Sequence, residues 1–208
     1  MINNDLRKYI EEHIFSLNNK NDIGHNMEHV LYVIKRSLKF AEEVDNIDIN
    51  MVYVIASYHD VGHHIDAKNH EKVSSEFFLN DVEMKKYFNE EERKIISEAI
   101  LDHRASGNNE PRSVYGKIVS SADRNTSLDE PLMRTHQYTK KHCPELSIDE
   151  MIDRAMKHLI DKYGREGYAL EKMYFKDEDY VNYLEELWEL LDNYDLFRDR
   201  YLSVNDLK

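Results

Sequence analysis

The chain is poor in the residues that make turns and crosslinks. It holds one cysteine, three prolines and six glycines in 208 residues. A lone cysteine, Cys143, excludes an intrachain disulfide and suits a reducing cytoplasm. So few glycines and prolines argue against a turn-rich β fold. No apolar run reaches the ~18 residues that a bilayer span needs. The opening residues, MINNDLRKYIEEH, have neither the basic start nor the apolar stretch of a secretory signal, so a cytoplasmic location is expected. Positive charge is also short: 28 basic residues face 41 acidic ones, a net charge of -13. That balance argues against an extended nucleic-acid surface. It leaves an anionic small molecule open, because a bound cation can dominate the local field. Phosphate-cradling glycine motifs are missing, Ser120 and Ser121 lack the glycines of a nucleophile elbow, and Cys143 sits in a loop-like setting before Pro144.

What is abundant points to helices: Glu, Lys, Leu, Ile and Met, with fourteen tyrosines supplying core bulk. Residues 5–17 space Leu6, Ile10, Ile14 and Leu17 at steps of three and four, an amphipathic helix. Met27, Val30, Leu31, Ile34, Leu38 and Ala41 mark the next. Asp48 can cap a helix over about 49–60 that is apolar on nearly all sides and therefore central. Further helices are expected at 70–80, 90–103, 113–124, 148–163 and 178–201, with SGNNEP a loop before the helix at 113–124 and no strand alternation. The expected fold is all-α.

Histidine placement carries the chemistry. Seven of eleven fall between residues 25 and 103. His59 continues the apolar row of Val52 and Ile55, His103 that of Ile96, Ala99 and Ile100, and Asp123 that of Tyr115 and Val119. An inward carboxylate without a partner is costly, whereas one among inward histidines suggests a shared cation. His13, His136, His142 and His158 have no ligand-like neighbours and read as ordinary helix residues.

The order His29, His59-Asp60, Asp123, with the His-Asp pair closing an apolar helix and the last Asp in KIVSSADR, resembles the HD-domain metal-dependent phosphohydrolase superfamily. The resemblance implies an all-α core over 21–130, preceded by a lead-in helix (1–20) and followed by a helical extension (131–208). It implies that His29, His59, Asp60 and Asp123 hold a divalent cation. His70 in HEKVSSEFF and His103 in ILDHR resemble segments that supply a second metal in some members, with Asp60 bridging. Nitrogen-rich donors suit Mn, Fe, Co, Ni or Zn, as one or two ions. The implied activity is hydrolysis of a phosphate ester or anhydride, of a nucleotide or small phosphorylated metabolite, by metal-bound hydroxide.

Within that reading Asp60, His63, His103 and Arg104 are catalytic candidates, His63 as general acid or phosphate contact. Arg124, Arg104 and Lys68 are candidates for the substrate phosphate. His64 is expected in solvent, and His25 as a supporting or surface residue. The chain departs from relatives at Tyr32, where many carry arginine, and at His63, where several carry lysine or an acid. It also lacks the Gly-Tyr-Pro signature of cyclic-dinucleotide hydrolases. Two other readings share the ligand pattern: an HD-type di-iron oxygenase, and a non-catalytic metal- or nucleotide-binding regulator. The aromatic stripe from Tyr180 to Phe197 reads as core or as the face of a homodimer.

Overall fold

The computed structural model describes residues 1–21, 23–104, 110–170 and 173–207; the loop expected at SGNNEP lies largely outside them. The described residues are helical, with no strand. They divide into two compact units. One comprises Met1–Asp123 with Met173–Phe175, the other Arg124–Lys172 with Lys176–Lys208.

The first unit is built around α4 (Ile49–Tyr58), every residue of which from Met51 to Tyr58 is buried. Asp48 caps it as expected, accepting from the Asn50 backbone N–H. A helix apolar on all sides must be enclosed. Here α3 (Met27–Ala41), α6 (Glu90–Asp102) and α7 (Val114–Ala122) enclose it, and α5 (His70–Asn80) packs on α6. Asn26 caps α3 and an Asn89/Glu92 capping box starts α6.

The lead-in helix differs from the single amphipathic helix expected. α1 (Asn4–Tyr9) passes through a wide π turn, Ile10–Ile14, into α2 (Phe15–Asn18). Leu6, Ile10 and Ile14 are four residues apart, a spacing that drifts off one face of a 3.6-residue helix. The wide turn absorbs the drift, and all three reach the core. Tyr9 and Tyr58 both donate to Asp81 Oδ2, at 2.8 and 2.6 Å, tying this segment and the end of α4 to the end of α5. Burial, with Asp81 beside them, pushes both phenols far above their usual range, so they stay neutral donors.

Past α4 the chain makes tight turns, His63 N–H donating to the Asp60 carbonyl and Ile65 N–H to that of Gly62. Gly62 lies against α5: its N–H donates to Ser74 Oγ at 2.9 Å, and a Cβ there would stand 2.7 Å from Val73 Cβ and 2.8 Å from Ser74 N.

The second unit packs α8 (Asp129–His142), α9 (Ile148–Tyr163), α10 (Glu178–Leu191) and α11 (Tyr194–Val204). The single helix expected at 178–201 is two. The chain breaks at Asp192–Asn193, where Asn193 caps α11 by accepting from the Leu196 N–H. α8 has no counterpart in the hydrophobic pattern, because its buried face includes His136 and Thr139 beside Pro131 and Leu132. His136 Nδ1 meets the Tyr201 hydroxyl at 2.9 Å, so this histidine is a core partner. His13 stacks on Tyr9, and His142 lies against Tyr138, consistent with their reading as ordinary helix residues.

Gly62→Ala should force the end of α4 away from α5. We expect a loss of about 1–3 kcal/mol in urea unfolding, with helical content retained; an unchanged midpoint would contradict this packing.

Candidate metal centre

Five helix ends meet at one place in the first unit. His59, His103 and Asp123 are the residues at which α4, α6 and α7 terminate. His29 lies in the first turn of α3, and His70 is the first residue of α5. Three helix C-termini direct carbonyl dipoles at the site, which favours positive charge there.

The rings at the ends of α4 and α6 fold back onto carbonyls three residues earlier. His59 Nδ1 lies 2.7 Å from the Ala56 oxygen and His103 Nδ1 2.6 Å from that of Ile100. His70 Nδ1 is 3.1 Å from the Ala67 oxygen. A carbonyl only accepts, so each Nδ1 carries a proton and donates, and in the neutral ring this leaves Nε2 directed inward with its lone pair. This is the outer hydrogen bonding that orients metal-ligating histidines. It also satisfies carbonyls that a helix end leaves without partners.

Two groups of three donors result among the described residues: His29, His59 and Asp123, and Asp60, His70 and His103. In the first, His29 Nε2 is 3.1 Å from Asp123 Oδ1 and 3.3 Å from His59 Nε2. In the second, His70 Nε2 is 3.2 Å from His103 Nε2 and from Asp60 Oδ1. Asp60 joins them. Its Oδ2 faces His59 and His29 at 3.3 and 3.5 Å, and its Oδ1 faces His70 and His103 at 3.2 and 3.7 Å. Oδ1 is buried and has no hydrogen bond of proper geometry. Electron-rich atoms converging this closely repel one another unless a cation lies among them. Donors about 2.0–2.2 Å from a transition metal are themselves roughly 3–3.5 Å apart, which matches these separations. The residues present fit one or two such ions.

Burial alone would raise the Asp60 carboxyl, but His59 and His103 hold it well below the usual range. Asp123, against His29, is likewise lowered. His59 is opposed by burial yet pushed up to about 9 by the Asp60 charge. His70 is pushed down to about 4 by burial and by His103.

The other sequence candidates fall around this cluster. His63 is buried and stacks on His25, ring centroids 3.7 Å apart, with His70 5.2 Å from His63. His25 thus belongs to the histidine layer. His64 is exposed, and its N–H donates to Asn21 Oδ1. Arg104 Nη1 donates to the Lys68 carbonyl at 2.8 Å and to Glu71 Oε2 at 3.1 Å. Lys68 is exposed, and Arg124, directly after Asp123, is buried.

Two supporting residues escaped the sequence reading. Asn21 Nδ2 donates to the carbonyls of Asp60 and His25, at 2.9 and 3.0 Å, and nothing in its polar segment marks it. Arg36 is buried on α3, and its signal was available: a charge in register with Val33, Ser37 and Phe40 on the buried face.

Exposure gives the cluster a direction. The side chains of His29 and Asp123 are 22% and 21% exposed, while His59 and Asp60 stand at 0% and 2%. The cluster is therefore open to solvent at its His29–Asp123 edge and closed around His59 and Asp60.

The cluster lies in a span that matches a known family. A family model for the HD domain matches residues 26–127, the span from the cap of α3 to just past Asp123. Residues 26–127 are an HD domain. Its superfamily is one of metal-dependent hydrolases that bind divalent metals, and the buried His/Asp cluster lies within the matched span. Neither the comparison with curated proteins nor that with solved structures returned a match. Among the described residues no helix of the HD domain or beyond it is long and apolar enough to cross a membrane.

The shifted histidines set a pH signature for the metal-free protein. His59 binds its proton more tightly folded (about 9) than at the ordinary value of 6.5, so its contribution is complete below pH 6.5 and fades towards 9. His70, held near 4, favours the folded state above 6.5 and loses that contribution as pH falls towards 4. Urea midpoints of metal-free protein should therefore peak near pH 6.5 and decline on both sides; a midpoint that keeps rising to pH 9 would contradict the His59–Asp60 coupling.

Proposed function

We propose that the protein is a metal-dependent phosphohydrolase acting on a phosphate ester or anhydride of a small molecule, a nucleotide or phosphorylated metabolite. The observation that carries this reading is Asp60, with each carboxylate oxygen turned to a different pair of histidines. His29, His59 and Asp123 would hold one divalent transition metal, His70 and His103 a second, and Asp60 would be shared. When bound, such ions supply Lewis acidity towards phosphoryl oxygens and lower the pKa of coordinated water towards neutrality.

The chain's own residues define what surrounds that chemistry. Buried His59, Asp60, His70 and His103 exclude bulk water from one side, and the half-open His29–Asp123 edge admits the substrate. His63, stacked on His25 beside His70, is placed to hold or deliver a proton to the leaving oxygen. Lys68 is the exposed cation we assign to phosphate, with Arg124 the other candidate from the sequence; Arg104 donates to Glu71 and plays another part, described below. A reducing compartment belongs to the same reading, given the single Cys143.

Protein reconstituted separately with Mn, Fe, Co, Ni and Zn and assayed on phosphomonoesters and nucleotides tests the reading. Two equivalents of metal and metal-dependent phosphate release are expected. Asp60→Ala should lose tight metal binding and lower kcat/KM by more than about a hundredfold, the scale on which a single transition-state electrostatic contact matters. Oxygen consumption by the iron form without phosphate release would move the protein to the di-iron oxygenases. A nucleotide that binds and survives incubation with every metal would make it a regulator.

A further inference from the structure

We infer that Arg36 and Arg104 are positioning residues, each locking one half of the centre from outside: Arg36 the His29–Asp123 half, Arg104 the His70–His103 half. The inference rests on the two-cation reading above and concerns how each half is held.

Arg36 stands two turns after His29 on α3, seven residues on and so on the same face. It is 4% exposed, and its Nη1 donates to the Ala122 carbonyl at 2.9 Å. Ala122 is the last residue of α7, and the peptide it shares with Asp123 sets where that carboxylate begins. The guanidinium carbon lies 5.3 Å from the ring centroids of both Tyr32 and Phe40, so the planar group is held between side chains of its own helix. α3 therefore carries His29 and the anchor for Asp123 together. The 3.1 Å approach of His29 to Asp123 follows from one rigid piece rather than from two independent helices. A positive charge at the C-terminus of α7 is also favourable in itself.

Arg104 does the corresponding work for the other half. It directly follows His103, where α6 ends. Its two acceptors, the Lys68 carbonyl and the Glu71 carboxylate, lie on either side of His70 in the chain. One guanidinium thus spans the end of α6 and the start of α5, the two segments whose histidines meet at 3.2 Å. Its charge is committed to Glu71, at 3.1 Å and mostly shielded from solvent, rather than offered to a phosphate.

Zinc titration of protein labelled with nitrogen-15 in its histidine rings reads the two halves separately. The wild type should show Nε2 of His29 and His59 responding as one set and His70 and His103 as another. Arg36→Lys keeps the charge but not the planar fork. It should weaken zinc at the first set by about 10–100-fold, the usual cost of losing an outer-shell partner, and leave the second unchanged. Arg104→Met and Glu71→Ala should both weaken the second set and spare the first. Leu6→Ala, a core variant away from the site, should lower thermal stability without favouring either set. Equal weakening of both sets in every variant, or none in any, would overturn the inference. So would a Glu71→Ala protein with unchanged zinc affinity and a lower KM, which would return Arg104 to phosphate binding. A wild type that binds no zinc or other metal removes the two-cation reading, and this inference with it.

Discussion

Asp60 holds a negative charge at 1% exposure, and one of its oxygens takes no proper hydrogen bond. An ionised carboxylate so placed is strongly destabilising unless opposite charge lies against it. Four histidine Nε2 atoms lie within 3.2–3.7 Å of its oxygens, and three of those rings already donate from Nδ1 to backbone carbonyls. The surrounding fold can be understood as what this carboxylate demands. α4 is apolar on all sides so that its end is fixed in the interior. α3, α5 and α6 start or stop at the same point, so that His29, His70 and His103 lie against it with His59, while α7 brings a second carboxylate, Asp123, against His29. Without a cation, His59, pushed up to about 9 by the Asp60 charge against the effect of burial, places a protonated imidazole beside that carboxylate; with one, the same atoms would serve as a ligand shell.

The separation into two halves is a consequence of helix pairing. α3 packs on α7 and α5 on α6, while α4 touches all four. Each pair brings two donors together, and Asp60, just past the end of the shared helix, supplies the link. An arginine sits on each pair, one buried in the core and one paired with Glu71 at the rim. On the two-cation reading proposed above, loss of a metal from one half need not dismantle the other.

Much of this was legible in the residues. The apolar run before His59, the rows leading to His103 and Asp123, and the ordered spacing from His29 onward were enough to name the family, and the all-α fold followed from composition and periodicity. Those signals work because a ligand on a buried helix face interrupts a hydrophobic pattern that is otherwise regular. α8 escaped because its buried face includes His136 and Thr139, so no pattern exists to interrupt. The break between α10 and α11 escaped because the apolar spacing runs through it, and only the Asn193 cap decides it. Arg104 was read by its charge and its neighbour, which suit a phosphate contact; its hydrogen bond to Glu71 is a tertiary fact that spacing does not carry. Asn21 acts through its amide on two distant carbonyls, and a polar loop residue gives no hint of that.

The central claim is that one carboxylate is shared by two cations, and spin coupling tests it most directly. Protein loaded with two equivalents of Mn(II) should give the broadened, exchange-coupled electron paramagnetic resonance spectrum of ions that share a bridge, and Asp60→Asn should abolish it. An isolated six-line signal at saturation, with one equivalent bound or two that do not interact, would contradict the account.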